Sequence, residues 1–192
     1  MRLNKIAKIQ SGYISRGRID PREDGTCLLM QAKDVSADDL SYRTDALVRF
    51  RPTLSDKDWF LKPGDIVFMA RGSRNYSVLM GDLPDSVLAA ACFFVVRVSN
   101  SGILPEFLCW YLNQLPVNGY LRRFSGRGVH MPVVKRAVLE NIDIPLPTIK
   151  IQKQVSEIIK LLQKEQNLFK KLAEKRRNLM TGICLKATLN RD

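Results

Sequence analysis

The sequence predicts an α+β protein: a β-rich globular domain with short helices at residues 1–147, a long helix at 148–187, and a tail at 188–192. Three observations predict this class. The first hundred residues alternate short apolar runs with turn-forming residues, which is typical of β-rich domains. From Pro105 onward, apolar side chains recur at helical spacing. After Pro145-Leu146-Pro147 the spacing becomes that of a coiled coil.

Five apolar runs in the first hundred residues are predicted to be strands. They are Leu3–Gln10, Cys27–Lys33, Ile66–Arg71, Ser77–Met80 and Ala89–Val98. Turn formers such as Lys62-Pro63-Gly64-Asp65 separate them. The run Val87–Val98 is almost continuously apolar, which predicts a central strand that is covered on both faces.

Short helices follow these strands. Pro105–Leu112 has proline at the first helical position and apolar groups at helical spacing. Tyr120–Phe124 is predicted to be a helical turn that leads into a glycine loop at Ser125–Gly128. Pro132–Asn141 is predicted to contain a further short helix, and Ile142–Ile144 a last strand.

The last third of the chain carries a heptad seam. From Ile151 its positions follow in alternating steps of four and three residues, and eight of the ten are apolar. The nine positions after Ile151 are Val155, Ile158, Leu162, Glu165, Phe169, Leu172, Arg176, Leu179 and Ile183. A 3.5-residue period over more than four heptads predicts a second helix along this one, from another copy or another subunit. The alternative is a helix folded back on its own domain.

Charge and composition restrict the kinds of partner and compartment. The net charge is +12 and the pI about 9.8, which favours polyanionic partners. Residues 148–192 alone carry 11 basic and 4 acidic side chains. No apolar stretch approaches the length of a membrane span, and Met1–Lys5 does not begin a secretory signal. The four cysteines are widely spaced, which is typical of buried thiols in a cytoplasmic protein.

The residues needed for catalysis do not assemble from the sequence. His130 is the single histidine, so neither a histidine-based triad nor a multi-histidine metal site is predicted. The glycines of Ser125–Gly128 lack the order of a phosphate loop or a dinucleotide fingerprint. The sequence therefore predicts a binding protein with no catalytic residue, metal or cofactor of its own.

Three segments together resemble the specificity subunit of type I restriction–modification systems. Leu61–Ser73 is similar to that family's L-x-P-G-D-I…R-G-S hairpin, and Pro105–Leu112 to its P-x-F-L-x-x-x-L helix. Leu139–Val155 is similar to its I-x-I-P-L-P…Q junction into a spacer helix. The chain departs from the family pattern at Thr148 and Ile151, where proline and glutamate are usual. It also has one recognition domain and one spacer helix instead of two, so it resembles half a subunit.

The resemblance implies a function and a set of partners. Each domain would read one half-site of a bipartite double-stranded DNA sequence, and two copies would pair their helices antiparallel over an inverted repeat. A helix on the order of 55 Å long would set a half-site separation of at most about 16 base pairs. The partners would be methyltransferase subunits that use S-adenosylmethionine and a restriction motor subunit. S-adenosylmethionine, Mg²⁺ and ATP would therefore bind to those partners.

The predicted DNA contacts cluster in two loops. The first follows a strand and offers the guanidinium, hydroxyl, amide and aromatic groups of Arg71, Ser73, Arg74, Asn75 and Tyr76. Arginine to guanine and asparagine to adenine are common bidentate base contacts. The second surrounds the glycine loop and contains Arg122, Arg123, Arg127 and His130. Gln31 and Lys33 are predicted to contribute from a nearby strand end.

Two other functions are compatible with the pattern. In one, the helix docks a different protein chain, Glu165 and Arg176 set the register, and the protein is an assembly adaptor. In the other, the domain binds RNA and the helix oligomerises it. The chain has neither the aromatic platform of RNP-type domains nor the GXXG loop of KH domains, which disfavours RNA.

Overall fold

The structure is a computed structural model. It describes residues 1–15, 17–53, 59–124 and 132–189. The chain divides into two compact units, Met1–Lys153 and Gln154–Asp192. Among the described residues, the first unit contains all the strands and the short helices, and the second is formed by a long helix. The predicted α+β class is confirmed.

Nine strands form three sheets in the described part of the first unit. They are β1 Ala7–Ser11, β2 Cys27–Met30, β3 Val35–Ser36, β4 Ser41–Tyr42, β5 Val48–Phe50, β6 Ile66–Met69, β7 Ser77–Leu79, β8 Val87–Ala89 and β9 Phe93–Val98. The sheet orders are β1-β9-β6-β7, β5-β2-β8 and β3-β4. The pairing of β2 with β8 is parallel, and the other pairings are antiparallel.

Four α-helices follow the strands in the part of the chain that the structure describes. They are α1 Pro105–Leu112, α2 Leu115–Phe124, α3 Arg136–Glu140 and α4 Ile149–Leu189. Helix α1 has the predicted bounds and the predicted proline in its first turn. Helix α4 ends at Leu189, two residues after the predicted end of the long helix at residue 187. None of the helices in the described ranges is both long and apolar enough to cross a membrane.

The core of the first unit lies against the central strands. All four residues of β6 are buried, because β9 and β7 flank the strand and its side chains alternate between two covered faces. Helix α1 packs on β7 and buries Phe107, Leu108 and Leu112. The sequence signal for a buried β-rich core was therefore correct.

Three strand predictions were wrong in whole or in part. Leu3–Lys5, the start of the predicted strand Leu3–Gln10, is a 3₁₀ helix, and the strand itself is β1. The run Val87–Val98 is two strands, β8 and β9, which belong to different sheets and are separated by a turn in which the Phe93 N–H donates to the Ala90 carbonyl. Small residues around Ala90 fit the turn as well as a strand, so apolar character alone did not reveal the break. Ile142–Ile144 is no strand: its Asp143 makes an isolated bridge to Arg2.

A buried ion pair fixes the turn before β6. The Asp65 N–H donates to the Lys62 carbonyl at 3.0 Å, and Gly64 has a φ of +88°, which favours glycine. The buried Asp65 carboxylate accepts two bonds of 2.7 Å from the Arg97 guanidinium and one of 2.8 Å from the Lys62 N–H. The turn is thus tied to β9.

A buried amide fixes the first turn of α4. The Gln152 side chain donates to the carbonyls of Gly102 and Pro147 and accepts from the Leu104 N–H, each at 2.9 Å. Gln152 has no exposed surface. Its three bonds join the start of the helix to the segment before α1.

Candidate nucleic-acid interface

The loop from Ala70 to Tyr76 connects β6 to β7, and its stem is held from two sides. The Ala70 N–H donates to the Cys92 carbonyl, and the Val134 N–H donates to the Ala70 carbonyl at 2.8 Å. Arg71 forms a bridge to Val133. These backbone bonds bring the first predicted cluster against the segment that follows the predicted glycine loop. They also give the loop a rigid base.

Three side chains of this loop are exposed, namely Arg71, Ser73 and Arg74. Among the described residues, the guanidinium of Arg71 has no ion-pair or hydrogen-bond partner. The Arg74 guanidinium donates to Asp38 Oδ1 at 2.9 Å and to the Ala37 carbonyl at 3.3 Å. Because both members of the Arg74–Asp38 pair are well exposed to solvent, the pair is weak and open to exchange.

The side chains of Asn75 and Tyr76 instead form hydrogen bonds to backbone carbonyls within the fold. The Asn75 amide donates to the Met69 carbonyl at 2.9 Å and closes the loop. Tyr76 is buried in the core, and its hydroxyl donates to the Val35 carbonyl at 3.4 Å. Burial also raises the pKa of the Tyr76 phenol above its ordinary value. These two side chains therefore shape the loop, and they are half-buried (Asn75) and buried (Tyr76) instead of exposed.

Gln31 and Lys33 lie on a segment that reaches the same loop. They surround the start of a 3₁₀ turn at Ala32–Asp34, and the Gln31 N–H donates to Asp34 Oδ2 at 2.8 Å. The bonds of Tyr76 and Arg74 to residues 35, 37 and 38 join this segment to the loop. Lys33 is exposed and Gln31 is half-buried. The structure therefore brings together two predicted groups from distant parts of the sequence.

The second predicted cluster is described only in part. Arg122 and Arg123 are exposed in the last turn of α2. Cations are favourable there because the carbonyls at a helix C-terminus carry partial negative charge. Arg127 and His130 lie outside the described residues.

A basic cleft was not predicted from the sequence. It has a volume of about 400 Å³ and lies between the chain after β1 and the end of β5. Among the described lining residues, Arg18, Arg22 and Arg51 are basic and Asp20 is acidic. Tyr13 and the buried Phe50 pack together with ring centroids 5.3 Å apart. Arginine–glycine stretches near turns were the available signal, but the cleft depends on a pairing of distant segments.

The three arginines of this cleft differ in their partners. Arg51 pairs with Asp24 at 3.4 Å, and both side chains are exposed. The guanidinium groups of Arg18 and Arg22 have no ion-pair partner among the described residues. The backbone of Arg22 is fixed, because its N–H donates to the Arg49 carbonyl and its carbonyl accepts from the Gly25 N–H.

The described ranges contain no cluster of metal ligands, and two of the thiols have raised pKa values. No three histidine, cysteine, aspartate or glutamate side chains lie close enough there to hold a metal ion. Burial raises the pKa of Cys109 to about 12 and that of Cys92 above its ordinary value. Both thiols are therefore protonated and poorly nucleophilic near neutral pH.

The heptad seam of α4 is exposed in the second unit. Six of its apolar side chains have exposures between 51% and 63%. They are Ile158, Leu162, Phe169, Leu172, Leu179 and Ile183. An apolar hollow near its centre is lined by Leu161, Leu168, Phe169 and Leu172, together with Lys164 and Glu165. A surface this apolar is typical of an interaction site.

One family model matches most of this chain, and solved structures share its fold. The family model described as "Type I restriction modification DNA specificity domain" matches residues 2–176. A chain from structural work on complex assembly and conformational transition of the type I R-M system is similar over 94% of this chain and 42% of its own, with a TM-score of 0.66 and 19% identity.

Two further solved structures are similar. The type I restriction–modification S subunit from M. genitalium matches over 100% of this chain and 46% of its own, with a TM-score of 0.58 and 13% identity. The HsdS subunit from Thermoanaerobacter tengcongensis matches over 89% of this chain and 38% of its own, with a TM-score of 0.61 and 17% identity. Identities this low show a shared fold. This chain spans less than half the length of each of the three.

Proposed function

This chain belongs to the family of type I restriction–modification DNA specificity domains, and from that premise we propose that its first unit reads one half-site of double-stranded DNA. The observation that carries the proposal is the loop at residues 70–76. Its exposed arginines stand on a stem that backbone hydrogen bonds hold in place. A rigid base is what a base-reading side chain needs, because an ordered loop loses less entropy on binding.

The proposed contacts have separate roles. Arg71 reads a base edge, because its guanidinium is exposed and uncommitted among the described residues, and arginine binds guanine bidentately. Arg74 exchanges its exposed pair with Asp38 for a base or a phosphate. Ser73, Gln31 and Lys33 provide polar contacts beside them.

Sequence-independent affinity is proposed to come from other arginines. Arg122 and Arg123 contact phosphates at one side of the loop. Arg18 and Arg22 contact phosphates from the basic cleft, where the guanidinium forks match phosphate geometry. Such contacts fix the position of the duplex and carry no sequence information by themselves.

The remaining functions are proposed to belong to partners. The chain performs no catalytic step in this proposal. Methyltransferase subunits that bind S-adenosylmethionine and a motor endonuclease that uses ATP and Mg²⁺ act on the DNA that it selects. A second copy pairs with it through the seam of α4, which the exposed apolar side chains support.

Selection from random duplexes tests the proposal. The full chain is mixed with a library of random double-stranded DNA, and the bound fraction is sequenced over several rounds. We expect one short sequence to be enriched, and to occur twice as an inverted repeat with a fixed gap. The matched control is the chain with Arg71→Ala and Arg74→Ala, which should retain binding but enrich a relaxed sequence. Enrichment of no sequence by the unmodified chain would refute base reading.

A further inference from the structure

Two charged positions interrupt the apolar seam of α4. Glu165 and Arg176 occupy seam positions, and both are exposed. They are eleven residues apart, about 16 Å along the helix axis, so they cannot pair within one helix. Among the described residues, neither has an ion-pair partner. A charge in a coiled-coil seam lowers stability unless an opposite charge faces it, so these positions restrict the partner and its register.

Between Ile158 and Ile183, the steps between seam positions are the same when they are counted from either end. From Ile158 to Ile183 the steps are four, three, four, three, four, three and four residues. A second copy of the same helix, running in the opposite direction, therefore matches the seam position for position when the midpoints coincide. In that register Glu165 faces Arg176 of the second copy, and Arg176 faces its Glu165.

We propose that two copies of α4 pair antiparallel in this register, held by two reciprocal Glu165–Arg176 ion pairs. The inference deepens the proposed function, since it specifies the pairing on which an inverted repeat depends. The other seam positions then form apolar layers: Ile158 with Ile183, Leu162 with Leu179, and Phe169 with Leu172. The Phe169–Leu172 layers lie at the apolar hollow, where a second helix supplies the missing side chains.

Competing arrangements leave the two charges poorly matched. A parallel pair in equal register places Glu165 against Glu165 and Arg176 against Arg176, which is repulsive in both layers. An antiparallel pair shifted by one heptad places Glu165 against Phe169 or Ile183, and Arg176 against Ile158 or Leu172. Of these arrangements, the proposed register alone pairs each charge with its opposite.

Charge reversal tests the register. The full chain and its E165R, R176E and E165R/R176E variants are compared by sedimentation equilibrium without DNA. Each single variant puts two like-charge contacts in place of two ion pairs, and we expect dimer dissociation constants to rise by about 10- to 100-fold. The double variant recreates both pairs in reverse and should return to within about threefold of the unmodified chain.

Other outcomes would overturn the register. In a parallel pair the single reversals keep like charges opposite each other, so they would not weaken the dimer. In a shifted antiparallel pair each charge faces an apolar side chain, so the single and double reversals would leave the dissociation constant about equally unchanged. An unmodified chain that stays monomeric would exclude the pairing itself. The sedimentation readout involves no DNA, so each failure is distinguishable from a failure of sequence-selective binding.

Disulfide trapping provides an independent readout. With the exposed Cys184 changed to serine, one preparation carries I158C and another carries I183C. After mixing and mild oxidation, the proposed register predicts a mixed dimer that joins the two preparations. Self-linked I183C dimers in place of the mixed species would show a parallel pair. As the matched control, K160C lies on the same helix outside the seam and should remain unlinked.

Discussion

Arg71 and Arg74 project from the same loop, but their guanidinium groups have different surroundings. The Arg71 guanidinium has no ion-pair or hydrogen-bond partner among the described residues, whereas the Arg74 guanidinium donates to Asp38 Oδ1 at 2.9 Å. For Arg71→Ala, we expect discrimination between the preferred duplex and one altered at a single base pair to fall by about 1–3 kcal/mol. Competition binding at constant salt measures this difference. Lys8→Ala, which removes an exposed charge on β1, is the control. An equal loss of affinity for all duplexes would assign Arg71 to phosphate contact.

Asp65 is the buried residue on which the turn before β6 depends. Its carboxylate accepts bonds from the Arg97 guanidinium and from the Lys62 N–H. Asp65→Ala leaves the Arg97 charge without its counter-ion in a partly buried site, and should lower the free energy of unfolding by about 3–5 kcal/mol. Denaturant unfolding at fixed protein concentration measures it.

Asp24 provides the matched control for this prediction. It also pairs with an arginine, Arg51, but both side chains are well exposed. Asp24→Ala should therefore change the free energy of unfolding by less than about 1 kcal/mol. Equal effects of the two substitutions would contradict the structural role of Asp65.

At the scale of elements, residues of the three sequence motifs stabilise turns and helices of the fold. Asp65 fixes the turn, Phe107 and Leu108 bury one face of α1, and Gln152 anchors α4. Local spacing predicts such elements because turn and helix signals act over a few residues. Local spacing did not show that β8 and β9 are two strands, because the residue at which a strand ends depends on the strand that pairs with it.

The Gln152 side chain joins the first turn of α4 to the segment before α1 by hydrogen bonds. Its amide makes three bonds in a fully buried site. Gln152→Ala leaves two carbonyls and one N–H with unmet hydrogen bonds, and should lower the free energy of unfolding by about 2–4 kcal/mol. Thermal and denaturant unfolding measure it. Gln154→Ala removes an exposed amide from the same helical turn and should change stability by less than about 0.5 kcal/mol. A similar, small change for both variants would exclude the anchoring role.

At the scale of the whole molecule, contacts between distant segments decide which predicted residues are exposed. Tyr76 was predicted to contact DNA as the aromatic group of the loop at residues 71–76, but its hydroxyl donates to the Val35 carbonyl, 41 residues away, and the ring is buried. The basic cleft was missed because residues 13–22 meet residues 50–53 only in the fold. A single sequence does not reveal such pairings, whereas the heptad spacing is local and is visible in the sequence itself.

Strand β2 connects the part of the fold that forms the basic cleft with the part that lies beside the loop at residues 70–76. Phe50 pairs with Cys27 at the start of β2, and Gln31 follows its end. The four-residue strand spans about 10 Å, comparable to three base-pair steps of about 3.4 Å. We therefore propose that a duplex that faces the loop at residues 70–76 also reaches Arg18 and Arg22. Phosphates beside the half-site are the groups that the cleft would contact.

The salt dependence of DNA binding tests this part of the proposal. Removing two phosphate contacts by R18A/R22A should make the slope of log affinity against log salt shallower by about 2. Affinity should fall about equally for the selected duplex and for unrelated duplexes, because phosphates carry no sequence information. The matched control is K8A/K62A, which removes two exposed charges that do not line the cleft. If both double variants reduce the slope equally, general charge accounts for the effect and the cleft makes no specific contact.

A duplex with a neutral methylphosphonate beside the half-site provides a direct test. This duplex should bind the unmodified chain more weakly than the natural duplex does. It should bind R18A/R22A with unchanged affinity, because the contact is already lost in that variant.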